Sequence, residues 1–415
     1  MDIWELYRQR GFARQATDEG ALKTLTDTAA AGGGVLTAYT GFDPTADSFH
    51  VGHLIPLMGL IHFQRAGHRP IVLLGGGTAM IGDPTGKNEM RKMLTDEELA
   101  KNTDALRRQA ARLMDFDSGN PSAAIMANNG DWLRQWGYID FLREIGHHFS
   151  VNRMLTFETF KTRMETGLSF IEFNYPLLQA YDFLELSRRY DCTVQLGGDD
   201  QWANIISGVD LVRRVERRDV FGWTFPLLTT SSGAKMGKTE KGAVWLDPEK
   251  TSPYEYYQYW VNVDDADVAK CLGFFTLLPM EEVNRLSRLE GAEIRQAKQV
   301  LAREATRLIH GEEEAAKAEK GAKAVFGGGG DMDQVPSTTL EAARLADGVD
   351  LAEVMVSAGL AKSKGEARRL VDQGGVHLNG EKVTDGFMRI TAAHGNQGHL
   401  MIKVGKKKFH RVVVA

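Results

Sequence analysis

The sequence predicts an α/β fold: a parallel sheet covered by helices on both faces, then a helical segment, then a small α+β module at the C-terminus. Three observations predict it. Short apolar runs alternate with helical patterns through roughly the first 225 residues. From about Pro253 helical periodicity runs almost unbroken to about residue 325. A glycine-rich break follows, and beyond it lies a basic tail with its own turn chemistry.

The elements follow in order. Val35-Leu36-Thr37-Ala38-Tyr39 reads as a buried strand ended by Gly41, and a helix is expected from about His50 to Gln64. Pro70-Ile71-Val72-Leu73-Leu74 is a second strand, running into Gly75-Gly76-Gly77. A helix from about Asp96 to Met114 precedes a third strand, Ala124-Ile125-Met126-Ala127. Thr193-Val194-Gln195-Leu196 is a fourth, between helices at 175–189 and 202–215. Ligands of such sheets sit beyond the carboxyl ends of the strands, at helix N-termini. The expected division is 1–225 for the α/β part, 226–325 for the helical part, 326–348 for a flexible linker and 349–415 for the tail module.

Within the tail, Ser363-Lys364-Gly365-Glu366 matches a capping box, and Asn379-Gly380 is a favoured hairpin turn. From Leu351 to Ala415 there are 11 Lys+Arg against 5 Asp+Glu, although the whole chain is net −5. A basic end on an acidic body is the pattern of a chain that meets a polyanion. Lys362, Lys364, Arg368, Arg369, Lys406, Lys407 and Lys408 are the candidate contacts. The start Met1-Asp2-Ile3-Trp4-Glu5 is unlike a secretory signal, and no apolar stretch approaches the roughly 20 residues of a membrane helix. Cys192 and Cys271 are too far apart to suggest a local metal pair or a disulfide framework. A cytoplasmic protein without membrane contact or a resident metal is the expectation.

Two motifs carry the chemistry. His50 and His53, three apart after a strand and a Gly/Pro/Asp loop, are expected on one face at a helix N-terminus, where imidazole and backbone N–H groups can meet phosphate oxygens. Gly52 between them leaves room for a ligand. Two histidines satisfied inside the fold are the rival explanation; a zinc site lacks a third ligand at suitable spacing. The second motif, Lys235-Met236-Gly237-Lys238-Thr239, is framed by Ser231-Ser232-Gly233 and Gly242 and puts two cations on a loop able to close on a polyphosphate. Gly82-Asp83-Pro84-Thr85-Gly86-Lys87-Asn88 has the wrong glycine spacing for a Walker loop. Tyr175, Gln179 and Asp182, at i, i+4 and i+7, form a polar face on an otherwise apolar helix.

His50-Val51-Gly52-His53 and Lys235-Met236-Gly237-Lys238-Thr239 resemble the two signatures of the class I aminoacyl-tRNA synthetases, most closely in the bacterial tyrosyl branch. The tail resembles a small RNA-binding module first described in a ribosomal protein. The resemblance implies a Rossmann-like catalytic domain that joins tyrosine to tRNA(Tyr) through tyrosyl-adenylate, with ATP as substrate, Mg²⁺ accompanying it, and a homodimer. By that resemblance Tyr39 and Asp182 would meet the substrate phenol, while Tyr175, Gln179, Asp83 and Gln201 would hold its ammonium and carboxylate. Gly41, Asp43, Gly52, Gly198 and Asp200 would surround the nucleotide, and Thr45 the terminal phosphate. His50, His53, Lys235 and Lys238 would stabilise phosphate charge, and Lys87 and Arg91 would approach pyrophosphate. A tryptophan-specific relative and an RNA-binding protein on the same scaffold are the alternatives. Thr40, a cysteine in some relatives, and Pro56, inside the signature helix, depart from the pattern.

Overall fold

A computed structural model describes residues 2–83, 94–117, 119–239, 242–327, 337–395, 399–405 and 408–415. Its contacts divide the chain into two compact units, Met1–Thr251 with Asn262–Leu301, and Ser252–Val261 with Ala302–Ala415.

The first unit is built on a five-stranded parallel sheet of β1 (Thr37–Phe42), β2 (Arg69–Leu74), β3 (Ile125–Asn128), β4 (Val194–Gly198) and β5 (Phe221–Phe225). Their order is β3-β2-β1-β4-β5, so the chain steps outward from β1 to one edge and then returns to fill the other. The reversal falls between β1 and β4, where doubly wound sheets open a crevice for ligands. Tyr39 lies opposite Ile71 on one neighbour and Gln195 on the other. β5 was not assigned from sequence. Its five residues are all buried, and so short an apolar run carries no alternation to mark it as a strand.

α1 (Ile3–Arg10) sends buried Arg10 to the end of a later helix, Val268–Phe275. Its guanidinium donates to the carbonyls of Gly273 (3.1 Å) and Thr276 (2.9 Å), and also to that of Leu278. Carbonyls at a helix C-terminus have no partner within the helix, so this cation closes that end. α2 (Leu54–Arg65), α3 (Asp96–Ala110), α4 (Phe170–Tyr190) and α5 (Trp202–Glu216) flank the sheet. Thr95 and Ser169 cap α3 and α4 in reciprocal boxes with Glu98 and Glu172. Pro56 is the third residue of α2, inside the first turn, where N–H groups have no α-helical partner, so its missing donor is tolerated.

Over 253–325 the regular elements among the described residues are all helices, as expected, including Pro253–Val261, Ile294–His310 and Glu312–Gly327. In the second unit a C-terminal core gathers Leu345, Leu351, Met355, Val376, Leu400, Ile402 and Val412. The expected linker is partly structured. Ser337–Leu340 forms β6, which pairs in parallel with β10 (Lys408–Val414), and Ala342–Ala346 is helical. Thr338 and Thr339 suit a strand, but their partner lies about seventy residues on and cannot be read locally. Asn379 (φ 51°) and Gly380 (φ 91°) make the predicted turn between β7 (Val376–Leu378) and β8 (Glu381–Lys382).

Candidate active site

Beyond the carboxyl ends of β1, β2 and β4 the first unit holds a cavity of about 340 Å³. Tyr39, Gly41, Asp43, Thr45, Gly52, His53, Asp83, Tyr175, Gln179, Asp182, Gly198, Asp200, Gln201 and Lys235 all line it. These positions span almost two hundred residues of sequence. His50 is not among the lining residues; its ring stacks on that of His53 instead.

Asp182 sits on α4, 2% exposed. Trp132 Nε1 donates to its Oδ1 at 2.8 Å, and Asn129 Nδ2 to its Oδ2 at 2.9 Å. Burial pushes its pKa up to about 8, against the pull of those two donors and with a further push from the Asp43 and Glu185 charges. Tyr39, 1% exposed, packs its ring on Phe183 and leaves its hydroxyl buried without a hydrogen-bond partner among the described residues. Burial first, and then the Asp182 charge, holds its phenol well above the ordinary value. Sequence reasoning missed Asn129 and Trp132. The signal was the polar pair Asn128-Asn129 at the carboxyl end of β3, where a parallel sheet places its functional groups.

Asp43 anchors the next layer. Its Oδ2 accepts from Tyr175 Oη at 3.0 Å and its Oδ1 from Thr78 Oγ1 at 2.7 Å. Thr78 in turn accepts from Asn129 Nδ2 at 2.9 Å, so the two carboxylates are joined through one chain of bonds. A side chain at Gly75 would place its Cβ 2.1 Å from Asp43 Oδ1, which explains a glycine directly after β2. Opposite, Gln201 donates to Asp83 Oδ2 at 2.8 Å, and Asn204 donates to both Gln201 (3.0 Å) and Gln179 (3.1 Å). Burial, and then the Asp83 charge, raise Asp200, with Lys235 pulling the other way. Thr40 Oγ1 and Gln195 Oε1 are also buried without partners among the described residues, and both residues line the cavity.

The histidine pair is built differently from the expectation. Val51–His53 is a single 3₁₀ turn, and His50 precedes it in extended conformation (φ −128°, ψ 171°), so the two do not share a helix face. His50 Nδ1 accepts from Gly52 N (3.0 Å), and His53 Nδ1 accepts from His50 N (3.2 Å). The rings stack at 3.9 Å and 18°. A ring nitrogen that accepts carries no proton, so both imidazoles in the neutral state keep theirs on Nε2, across the ring from the backbone. The turn therefore prepares two Nε2–H donors.

The lysine loop is tied back by Met236 N to Leu228 O (3.0 Å) and Val244 N to Gly237 O (3.0 Å). Gly237 has φ 87°, and a Cβ there would lie 3.0 Å from Gly52 N. Only glycine allows this loop to lie against the histidine turn. Lys235 reaches the cavity; Lys238 opens a two-residue strand, Lys238–Thr239, paired with Gly242–Ala243. Lys87 and Arg91 lie outside the described residues, as do Lys406 and Lys407.

In the second unit, Lys408 opens β10, and Lys362 and Arg369 are exposed. Lys364 pairs with Glu353 at 2.6 Å, and Arg368 with Asp350 at 3.0 Å, so these two are partly occupied within the module. Ser363 caps α10 (Lys364–Asp372; α9 is Leu351–Ser357), but the Glu366 carboxylate reaches back to Lys362 N at 2.6 Å, one residue beyond the expected box.

Residues 32–327 match the family model for class I tRNA synthetases (W and Y), and residues 330–412 match that of the tyrosine–tRNA ligase SYY-like C-terminal domain. A tyrosine–tRNA ligase of Clostridium kluyveri is 54% identical over 413 residues, covering 100% of this chain and 99% of that protein. One from Clostridium botulinum is 55% identical over 414 residues, with the same coverage. Among solved structures, a C-terminally truncated mitochondrial tyrosyl-tRNA synthetase of Aspergillus nidulans superimposes with a TM-score of 0.70 and 31% identity, over 78% of this chain and 94% of that one.

Proposed function

The chain belongs to the class I tRNA synthetases of the tryptophan and tyrosine group, and from that premise we propose which of its residues carry each part of the reaction. Its activity is tyrosine–tRNA ligation: tyrosine and ATP give tyrosyl-adenylate and pyrophosphate, and tyrosine then passes to the terminal ribose of tRNA(Tyr).

The observation that carries the assignment of residues is that buried Tyr39 and buried Asp182 line the same cavity. A buried hydroxyl without a partner is costly, and so is a buried carboxylate. A substrate phenol relieves both, accepting from Tyr39 and donating to Asp182. Phenylalanine would leave both unrelieved, and the indole of tryptophan has no hydroxyl to place between them. Tyr175, Gln179, Asp83 and Gln201, already joined by hydrogen bonds to their neighbours, receive the ammonium and orient the carboxylate.

In the first step a tyrosine carboxylate oxygen bonds to the α-phosphorus, the bond to the bridging oxygen breaks, and pyrophosphate leaves with the electron pair. The nucleophile is already ionised, so no side chain need remove a proton. Catalysis lies in positioning and in charge stabilisation by the Nε2–H groups of His50 and His53 and by Lys235 and Lys238. Thr45 sits by the terminal phosphate, and Gly41, Asp43, Gly52, Gly198 and Asp200 shape the nucleotide site. Mg²⁺ enters with ATP as part of that substrate. In the second step the ribose hydroxyl attacks the activated carbonyl and AMP leaves.

The basic surface of the tail, with Lys362 and Arg369 exposed, holds the tRNA. A homodimer is supported by exposed Tyr138, Ile139, Val151, Met164 and Phe170 on consecutive helical segments that share one small core around Met154, Phe160 and Leu177. No helix among the described residues is long and apolar enough to cross a membrane, and the cytoplasm, where ATP and tRNA meet, is the proposed location.

The test is pyrophosphate exchange into ATP with tyrosine, tryptophan, phenylalanine or no amino acid. Exchange should depend on tyrosine; dependence on tryptophan would sink the pocket assignment. Removing the chain after Gly330 should keep tyrosine activation and greatly weaken charging, because the C-terminal core closes on residues beyond that point.

A further inference from the structure

Phe387, on the C-terminal module, is 68% exposed, and its position is fixed from behind. Asp385 Oδ1 accepts from Phe387 N (2.9 Å), Asp385 O accepts from Met388 N (3.1 Å), and Met388 O accepts from Leu351 N at the start of α9 (2.9 Å). The next two residues, Arg389 and Ile390, pair with Asp350 and Val349. Phe387 is therefore held out from a braced turn. One face of its ring is covered: the Arg368 guanidinium carbon lies 4.1 Å from the ring centroid. That guanidinium is itself held by Asp350 Oδ2 at 3.0 Å, and its Nε is buried without a hydrogen-bond partner among the described residues, which leaves the cation free to face the ring.

We propose that the outer face of Phe387 is a stacking platform for an unpaired base of the tRNA, with Arg368 as its backing. This rests on tRNA being the acceptor substrate. An exposed aromatic ring offers a π-face that every base can use, and loops and ends of RNA are recognised in this way. Charge selects a nucleic acid over a second copy or an ordinary protein surface: residues 351–415 carry 11 Lys+Arg against 5 Asp+Glu. Exposed Arg369 lies on the same helix as Arg368, and exposed Lys362 just before it, ready for flanking phosphates. Two copies of so cationic a module would repel.

The experiment measures tRNA(Tyr) binding by the full-length chain at several salt concentrations. Phe387→Ala should weaken binding about 5- to 100-fold with an unchanged salt slope, because stacking releases no counterions. Phe387→Trp should restore binding, which separates lost stacking from a lost fold. Arg369→Ala should make the slope of log affinity against log salt shallower by about 1. Wild-type affinity in Phe387→Ala, or rescue by Phe387→Leu equal to that by Trp, would overturn the platform while leaving the enzyme assignment intact. Failure of the unaltered chain to bind tRNA would overturn both.

Discussion

Tyr39→Phe should make the ligand-free protein more stable and a poorer tyrosine enzyme. The hydroxyl is buried at 1% exposure and has no partner among the described residues, so its removal deletes a desolvated polar group rather than a contact. An unpaired buried hydroxyl costs on the order of 1–3 kcal/mol, from which the small void left by one oxygen must be deducted. A net gain of about 1 kcal/mol remains, or about 2 °C in melting temperature for a unit of this size. The ring stays on Phe183, 5.3 Å between centroids, because phenylalanine fills the same space. With tyrosine bound the balance reverses. One neutral hydrogen bond contributes about 0.5–1.5 kcal/mol, so kcat/KM for tyrosine should fall about 2- to 13-fold while that for phenylalanine stays put. Saturating tyrosine should then erase the melting advantage, since the variant gains less from the ligand. Thermal melts with and without tyrosine, beside pyrophosphate exchange, read both effects. A melting temperature lowered without ligand, with tyrosine kinetics unchanged, would mean that the hydroxyl is satisfied within the protein and does not await the substrate.

Asp182 gives a pH signature. Its folded pKa of about 8 lies above the ordinary carboxyl value of 3.8, so between those limits the folded state holds a proton that the unfolded state has lost. This group's contribution is complete below about pH 4 and disappears as pH rises through about 8. Asp182→Asn should flatten that part of the melting-temperature profile, and identical profiles would place the carboxyl in water. Gly237→Ala forces a side chain onto φ 87° and against Gly52 N at 3.0 Å. The strain should push the lysine loop off the histidine turn and lower kcat for activation about 5- to 10-fold with little change in KM for tyrosine; an unchanged kcat would show that the loop acts from elsewhere. Arg163→Met removes the cation 2.9 Å from buried Glu172 and leaves its carboxylate only the Ser169 N and Oγ donors (3.0 and 2.8 Å), which costs about 3 kcal/mol locally. Sedimentation should show a lower fraction of the proposed dimer, because this pair secures the start of α4 next to exposed Phe170 and Ile171; a dimer fraction as high as in the unaltered chain would refute that link.

What could be read from the sequence depended on how local each cause was. β2 and β4 follow from short apolar runs, and the turn at Asn379-Gly380 from residues that tolerate positive φ. The pocket face of α4 was legible because Tyr175, Gln179 and Asp182 obey helical spacing wherever the helix packs. The histidine turn was not. His50 and His53 accept backbone N–H groups, and those bonds select a 3₁₀ turn that spacing alone cannot distinguish from α-helix. Trp132 and Asn129 stayed hidden for a different reason. Their role exists only because the sheet order brings the end of β3 to α4, about fifty residues further along the chain. The same holds for the tail, where Glu353 and Asp350 claim Lys364 and Arg368 only after α9 and α10 have packed.

A single physical rule joins these cases. A side chain whose function is set by its own backbone or helix face is visible in sequence, and one whose function is to set another side chain is not. Asp182 can be picked out as a pocket carboxylate, but its proposed role of accepting a phenol depends on Trp132 and Asn129 fixing both oxygens in a site where burial alone would favour the proton. Tyr39 can be placed at a strand end, but its unmet hydroxyl appears only when β1 is enclosed by α4. The proposed selectivity for tyrosine therefore resides in a relation between residues 39, 129, 132 and 182, and substitution at 132, which is not among the residues lining the cavity, should disturb it through Asp182.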